Sequence, residues 1–198
     1  PKICPITFED YDACTENEIT GMRHTLTWVD NQYVYFVAQF SKPIKNIQYV
    51  SKNKEVSVNG KLEGNDIQAV LSFGDEKEVI VKVGLSVVSS ENARENLAHD
   101  VSGFDFDAVS NSAYAIWNDV LSKVKVKGGT EAQLKNFYTA WYHALVVPNT
   151  VSDVNGQYRR HDMKIANMEK GNVFYFLYLG HIPWLASIDD IDQYRLCE

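Results

Sequence analysis

The chain has 198 residues, of which 45% are hydrophobic, and a formal net charge of −7 at pH 7. This length and composition suit one large or two small globular domains with a hydrophobic core. The acidic balance argues against nucleic-acid binding, which needs a basic face, and no apolar stretch has the length of a membrane span. The three cysteines, Cys4, Cys14 and Cys197, leave at least one thiol unpaired and have no zinc-binding spacing.

The first 88 residues favour short β-strands. The segment Gln32–Phe40 is dense in valine, tyrosine and phenylalanine, which suit a pleated surface. Further strands are predicted at Ile44–Val50, Glu55–Val58, Gln68–Phe73 and Glu78–Val88. Asn59-Gly60 is a tight-turn signal between two of them. Short strands at this spacing are typical of an antiparallel β-sandwich.

After Ser89 the pattern changes to that of helices. Ser90 is a suitable N-cap for a helix over Glu91–His99. Asp105 or a neighbour caps a longer helix that ends at Val124. The apolar residues of this second helix recur with a period of 3.6, which predicts one buried face. They are Phe106, Val109, Ala113, Ile116, Trp117, Val120, Leu121 and Val124.

The double glycine Gly128-Gly129 is a hinge that leads into a third helix. Thr130 and Gln133 predict a capping box for this helix, and Pro148 ends it. Its apolar and aromatic stripe is more typical of a core than of a sugar-binding platform, and consists of Leu134, Phe137, Tyr138, Trp141, Tyr142 and Leu145. Beyond it, Asn155-Gly156 predicts a hairpin tip between Thr150–Asp153 and Gln157–Arg160.

Residue chemistry alone predicts no complete active site. The five histidines lack a short metal-binding spacing, and neither a Gly-x-Ser-x-Gly elbow nor a phosphate-binding glycine-rich loop occurs. Asp153 and Asp162 flank the predicted hairpin, and glycoside hydrolysis uses a pair of carboxyl groups. In the alternative structural interpretation, Asp153 supports the turn and Asp162 pairs with Arg159 or Arg160.

The segment from Gly128 to Asp162 resembles the start of the catalytic domain of glycoside hydrolase family 92. Two motifs carry the resemblance, FYTAWYH at Phe137–His143 and SDVNGQYR at Ser152–Arg159. The pattern departs at Arg160, where the family usually has glycine, and resumes at Asp162. Upstream segments, among them QYVYF at Gln32–Phe36, resemble the family's amino-terminal domain and linker, so that the resemblance covers about residues 18–173.

This family consists of calcium-dependent, inverting, exo-acting α-mannosidases in which a β-sandwich packs on an (α/α)6 barrel. The resemblance therefore implies an α+β chain with part of an antiparallel β-sandwich at residues 1–88 and a helical linker at 89–127. Residues 128–198 would start the catalytic domain with the first helix and hairpin of the barrel. The family's general acid, general base and calcium site have no counterpart in the matched residues. No catalytic or metal-binding residue is therefore assigned, and no calcium is expected to bind this chain.

The resemblance implies a fragment of an enzyme that hydrolyses terminal α-mannosides of glycans with inversion, inactive as this chain alone and periplasmic or extracellular. The residues expected near a substrate are Asp153, Tyr158, Arg159 and Asp162. The alternative is a non-catalytic carbohydrate-binding or structural β-sandwich module. Because an incomplete sandwich exposes a sheet edge and an apolar face, self-association is a further expectation.

The tail after about residue 173 departs from the family pattern, which usually has Ser-x-Trp-Asp-x-x-Arg followed by His-Pro. Suitable codons for Phe174–Ser187, read one nucleotide later, spell Phe-Thr-Phe-Ser-Ile-Trp-Asp-Ile-Phe-Arg-Gly-Leu-His-Pro. We therefore hypothesise that the residues after about Asn172 are read out of frame. In that case His181–Glu198 was not selected to fold.

Overall fold

The computed structural model describes residues 5–8, 16–25, 31–50, 62–65, 68–146, 149–168, 171–177 and 183–187. Within these residues, strands precede three helices and short strands follow them. The first strands are β1 (Pro5–Phe8), β2 (Glu18–Thr25), β3 (Gln32–Phe40), β4 (Asn46–Val50), β5 (Leu62–Asn65), β6 (Gln68–Ser72) and β7 (Val81–Ser86). The helices are α1 (Ser90–Asp100), α2 (Phe106–Ser122) and α3 (Glu131–Val146). The later strands are β8 (Asn149–Thr150), β9 (Gln157–Arg159), β10 (Ile165–Asn167), β11 (Val173–Leu177) and β12 (Pro183–Ser187).

The main sheet is antiparallel and has the strand order β5-β1-β2-β3-β7. Its strand β3 has the bounds that the sequence predicts and pairs with β2 on one side and β7 on the other. A second antiparallel pair consists of β4 and β6. This arrangement, followed by helices, confirms the predicted α+β fold with a partial β-sandwich. The predicted strand at Glu55–Val58, the Asn59-Gly60 turn, Pro148 and the three cysteines lie outside the described residues.

One face of the main sheet packs against α1. The strand register places Val37 beside Gly84, and both face this helix. Val37 and Ala93 are fully buried, Leu97 nearly so, and Val101 packs against them. A Cβ atom on Gly84 would lie 2.2 Å from the carbonyl oxygen of Ala93, so the absence of a side chain lets α1 approach the sheet this closely.

The N-cap residues of the three helices agree with the sequence predictions, except that the cap of α1 is shifted by one residue. The cap of α1 is Ser89, one residue before the predicted Ser90. Asp105 caps α2 as predicted, because its side chain accepts a hydrogen bond from the backbone of the first turn. The predicted capping box of α3 is confirmed: Thr130 Oγ1 accepts from Gln133 N at 3.3 Å, and Gln133 Oε1 accepts from Thr130 N at 2.8 Å.

The buried face predicted for α2 is wrong, because no residue of α2 or α3 is buried. The exposed apolar residues of that face include Phe106, Val109 and Ile116. The two helices meet where Trp117 packs edge-on against Tyr142, with ring centres 4.6 Å apart, and where the Tyr138 hydroxyl donates to Val124 O at 3.0 Å. A helix buries its apolar stripe only where another element covers it. Among the described elements, only α3 packs closely on α2.

Strand β7 is the last strand of the main sheet and carries a second exposed apolar surface. Val81, Val83 and Leu85 alternate along it and are about half exposed, at 48%, 49% and 57%. Their side chains lie on the sheet face opposite α1, because Gly84, which alternates with them along the strand, faces the helix. We call these three residues the β7 apolar row. Its exposure matches the expectation of an incompletely covered sandwich.

Candidate functional site

The segment 149–168 follows α3 and forms a small β-hairpin of β9 and β10. The predicted turn at Asn155-Gly156 is present, since Gly156 has a φ of +83° and donates to Asp153 O at 2.9 Å. The predicted pairing across this turn, between Thr150–Asp153 and Gln157–Arg160, is wrong as a strand ladder. A second turn after β9 brings β10 alongside it, while β8 pairs with β11.

Asp153 is buried, with 5% of its surface exposed. Its Oδ2 accepts hydrogen bonds from Ser86 Oγ at 2.7 Å and Asn92 Nδ2 at 2.8 Å, and its Oδ1 accepts one from Asn96 Nδ2 at 2.7 Å. Ser86 ends β7, and the two asparagines lie one turn apart on α1. Because these three donors are neutral, hydrogen bonding rather than an ion pair compensates the desolvation of the carboxylate. We call these four residues the Asp153 network.

The two asparagines extend the Asp153 network in both directions. Asn96 also donates to Leu85 O at 2.8 Å and accepts from Val154 N at 2.9 Å. Asn92 donates its second amide hydrogen to Gln157 Oε1 at 2.9 Å. Each amide thereby has partners for both of its hydrogens, which ties the loop before β9 to both α1 and β7.

Arg159 makes a second attachment of the hairpin. Its guanidinium donates from Nε to Val87 O at 2.7 Å, from Nη2 to Val88 O at 3.2 Å and from Nη1 to Met163 O at 3.1 Å. Its central carbon also lies 5.0 Å from the centre of the Tyr33 ring on β3. The side chain therefore bridges the hairpin turn, the β7–α1 connection and the main sheet.

Tyr158 and Asp162 are placed differently from Asp153 and Arg159. The neighbours of Tyr158 in β9 direct their side chains to α1 and to the β7–α1 connection, so strand alternation turns the half-buried Tyr158 to the opposite face. Asp162 lies exposed in the turn between β9 and β10 and accepts from Lys164 N at 3.2 Å. Its Oδ1 lies 3.7 Å from Arg160 Nε, so Asp162 forms an ion pair with Arg160. Arg160 is one of the two arginines that the structural interpretation of the sequence offers as its partner.

A cleft of about 680 Å³ lies beside this junction, between β7, the end of α1 and the loop before β9. Its lining is largely apolar and includes two carboxylates, Asp100 and Asp153. Asp153 already has three donors, and Asp100 Oδ1 lies 2.9 Å from His99 Nδ1. The hydrogen bonds to Asp153 engage both of its oxygens, so this carboxylate is not free to act on a bound glycoside.

A metal site needs several oxygen, nitrogen or sulfur ligands close together. Among the described residues, no group of three or more His, Cys, Asp or Glu side chains is able to hold a metal ion. Calcium takes six to eight oxygen ligands, and the described side chains supply no cluster of that kind. No helix in the described ranges is long and apolar enough to cross a membrane.

Sequence reasoning missed Ser86, Asn92 and Asn96. The available signal was the spacing of the two asparagines, which places two amides at i and i+4 on α1, beside the buried Ala93 and Leu97. Amides on a partly buried helix face require partners. The identity of those partners depends on how the segment after α3 returns to α1, which local patterns do not specify.

Two family models match consecutive parts of the chain. The glycosyl hydrolase family 92 N-terminal domain matches residues 9–86, and the glycosyl hydrolase family 92 catalytic domain matches residues 92–187. A comparison with curated proteins gives no match.

Solved structures show the same similarity. The chain is 27% identical to the family GH92 alpha-mannosidase BT3965 from Bacteroides thetaiotaomicron, with a TM-score of 0.77 over 87% of this chain and 24% of that chain. BT3965 has also been solved in complex with mannoimidazole. The family GH92 inverting mannosidase BT2199 from Bacteroides thetaiotaomicron VPI-5482 is 22% identical, with a TM-score of 0.73 over 87% of this chain and 24% of that chain. At this identity, the similarity shows only that the two proteins share a fold. The chain spans about a quarter of the length of these structures.

Proposed function

The chain belongs to glycoside hydrolase family 92, and we propose that it is part of an α-mannosidase that removes terminal α-mannosides from glycans with inversion at the anomeric carbon. The observation that carries this proposal is the succession of the two family domains along one chain, with the similarity to an α-mannosidase at 27% identity. The activity belongs to a longer polypeptide in this proposal, since the chain spans about a quarter of that relative.

This assignment divides the chain into three parts of the longer enzyme. Residues 1–88 belong to the sandwich domain, residues 89–127 to the helical linker and residues 128–198 to the start of the catalytic domain. The two family matches support the first boundary, because one ends at residue 86 and the other begins at residue 92. In this arrangement α1 and the Asp153 network hold the first catalytic elements against the sandwich.

Within the hairpin, we assign different roles to the four residues expected near a substrate. Asp153 and Arg159 hold the hairpin in place, since their polar groups bond α1 and the end of β7. Tyr158 and Asp162 lie on the parts of the hairpin that those contacts leave available to a sugar. An inverting glycosidase needs a general acid and a general base that activates water. We place both outside this chain, together with the calcium site, and therefore expect the chain to be inactive alone.

The partners and location follow from the substrate class. Mannose-containing glycans are the proposed ligands of the longer enzyme, which the complex of the BT3965 relative with mannoimidazole supports. A periplasmic or extracellular location gives access to such glycans. The exposed β7 apolar row supports self-association of the chain when it is produced alone.

The decisive experiment compares the 198-residue chain with a longer protein expressed from the same gene with its flanking coding sequence, in the reading frame that restores the family pattern after about Asn172. Each is incubated with an aryl α-mannoside and with α-mannobiose, with and without calcium, and the first-formed anomer is identified by proton NMR. We expect β-mannose from the longer protein and no hydrolysis by the chain. Lack of hydrolysis or net retention by the longer protein would overturn the proposed activity, and hydrolysis by the chain alone would overturn its inactivity.

A calorimetric titration of the chain with mannose and mannobiose tests the non-catalytic alternative. Saturable binding by the chain, combined with an inactive longer protein, would favour a carbohydrate-binding module. Absence of binding, combined with an active longer protein, fits an enzyme whose sugar site needs elements beyond these residues.

A further inference from the structure

Asp153 is a buried titratable side chain for which the proposed reaction has no use. We propose that it is a positioning residue, a latch that fixes the β9–β10 hairpin against the sandwich and so holds Tyr158 and Asp162 in one orientation. The inference rests on the proposed function only where it takes those two side chains to face a sugar. The latch itself is a property of the chain and is testable without activity.

The latch joins segments that are far apart along the chain. Asp153 accepts hydrogen bonds from residues 67, 61 and 57 positions earlier, which are Ser86, Asn92 and Asn96. The donors come from the last residue of β7 and from one face of α1, so the carboxylate lies where sheet, helix and hairpin meet. A single side chain at such a point constrains the hairpin relative to two elements at once.

The three donors around position 153 match the two acceptor oxygens of an aspartate side chain. A carboxylate is an acceptor at both oxygens and can satisfy three donors together, whereas an amide of the same shape presents a donor at one of those positions. The surrounding groups cannot simply reverse their roles, because the amide of Asn96 also donates to Leu85 O and accepts from Val154 N. An amide at position 153 therefore leaves a buried donor facing another donor.

The latch is separate from the contacts that stabilise the sandwich against α1. That core consists of Val37, Ala93 and Leu97, none of which is a partner of Asp153. Loss of the latch should therefore release the hairpin while the main sheet keeps its protection from hydrogen exchange. This distinguishes a positioning role from a general contribution to stability.

The side chains of Asn92 and Asp153 have the same shape, so exchanging the two residues reverses which of them donates the hydrogen bond and which accepts it. In the double variant Asn92→Asp/Asp153→Asn, the carboxylate moves across the 2.8 Å hydrogen bond, and the new amide at position 153 donates to it. Gln157 rotates its side-chain amide to donate in place of accepting. The new aspartate also lies in the first turn of α1, where the helix dipole favours negative charge. Each single variant breaks the pairing. The double variant restores the hydrogen bond between positions 92 and 153, but the Ser86 hydroxyl, which donates to the same Asp153 oxygen, then faces an amide and loses that acceptor.

Hydrogen–deuterium exchange of the 198-residue chain tests the latch. In Asp153→Asn and in Asn92→Asp, we expect amide exchange in residues 149–168 to accelerate about tenfold, with β2 and β3 unchanged. The double variant should return the exchange of residues 149–168 part of the way to the wild-type rate, because the hydrogen bond from Ser86 is not restored. Asp162→Asn is the matched control, because Asp162 is exposed, and should leave exchange unchanged.

Three results would overturn the latch: unchanged exchange in residues 149–168 of both single variants, equal acceleration in β2 and β3, or no recovery in the double variant. The double variant keeps the test decisive even where a single variant does not fold. If the longer protein shows no mannosidase activity, the proposed function fails while the exchange result stands. If it is active, Asp153→Asn should lower kcat/KM without moving the pH profile, and the double variant should recover part of the lost kcat/KM.

Discussion

Arg94 on α1 donates two hydrogen bonds to one carboxylate oxygen of Glu18 on β2, at 2.6 Å from Nη2 and 3.1 Å from Nε. The side chain of Glu18 is 8% exposed and that of Arg94 28% exposed, so the pair is partly shielded from water. Gln39 of β3 donates to the other carboxylate oxygen at 2.7 Å. The hydrogen bond to Glu18 raises the pKa of Arg94 above its usual value, against the opposing effect of burial.

Arg94→Ala is expected to lower the free energy of unfolding by about 2 kcal/mol, because it leaves a buried carboxylate without its cationic partner. Because the pKa of Arg94 is raised in the folded state, its contribution to stability is complete below the ordinary pKa of arginine and is lost only as the pH rises through the folded-state pKa. The loss should therefore be equal at neutral and at mildly alkaline pH in urea denaturation. Lys123→Ala is the control, since its partner Asp119 is 3.8 Å away and both are exposed; an equal loss there would contradict the prediction.

Gly84→Ala should destabilise the chain by about 3 kcal/mol, because overpacking a tight contact forces the backbone to move. The added Cβ would lie 2.2 Å from Ala93 O and 2.6 Å from Leu97 Cβ, and both belong to the helix that covers the sheet. Gly103→Ala is the matched control, since no atom of the described residues, its chain neighbours apart, lies within 4 Å of the added Cβ. Thermal and urea unfolding of the two variants compare them directly, and similar midpoints would show that α1 adjusts to the methyl group.

Arg159→Lys should loosen the hairpin although the charge is kept. A lysine ammonium cannot reproduce the fork that reaches Val87 O, Val88 O and Met163 O while stacking on Tyr33. We expect faster proteolysis within residues 149–168 with unchanged far-UV circular dichroism. The neighbouring Arg160→Lys serves as control, because Arg160 is exposed. Equal proteolysis of both variants would show that the guanidinium fork does not fix the hairpin.

Val83→Lys should weaken self-association of the chain. It places a charge in the centre of the β7 apolar row at a side chain that is 49% exposed, so the fold has room for it. Sedimentation velocity over a concentration series measures the change. Val154→Lys adds the same charge at a valine of similar exposure, 48%, outside that row. If wild-type chain is monomeric throughout the series, the self-association proposal is wrong.

The coding DNA tests the hypothesis about the tail. We expect the codons for Phe174–Ser187 to spell, one nucleotide later, the family pattern with Trp-Asp and a following arginine. Codons that cannot be read this way would end the hypothesis. In the structure, β11 and β12 pair within this region, and residues 188–198 lie outside the described part of the chain.

Some elements of the fold were predictable because their determinants are local. The bounds of β3 follow from its run of β-branched and aromatic residues, and the caps Asp105 and Thr130 follow from side chains that bond the backbone within one turn. The pairing of β9 was not predictable in this way. Two turns adjoin β9, one at Asn155-Gly156 and one that contains Met163. The second turn forms the tip of the β9–β10 hairpin, but it has no glycine that would predict it, although Met163 has a φ of +67°.

The sequence by itself determined the family, the order of sheet and helices, and the motif in which Asp153, Tyr158, Arg159 and Asp162 occur. The tertiary structure alone decided how these four differ. Asp153 lies on three donors from β7 and α1, whereas Asp162 lies in an exposed turn, although both are aspartates of the same motif. The physical reason is distance along the chain: contacts across 57 to 67 residues depend on how separate elements pack, and no local pattern encodes that packing.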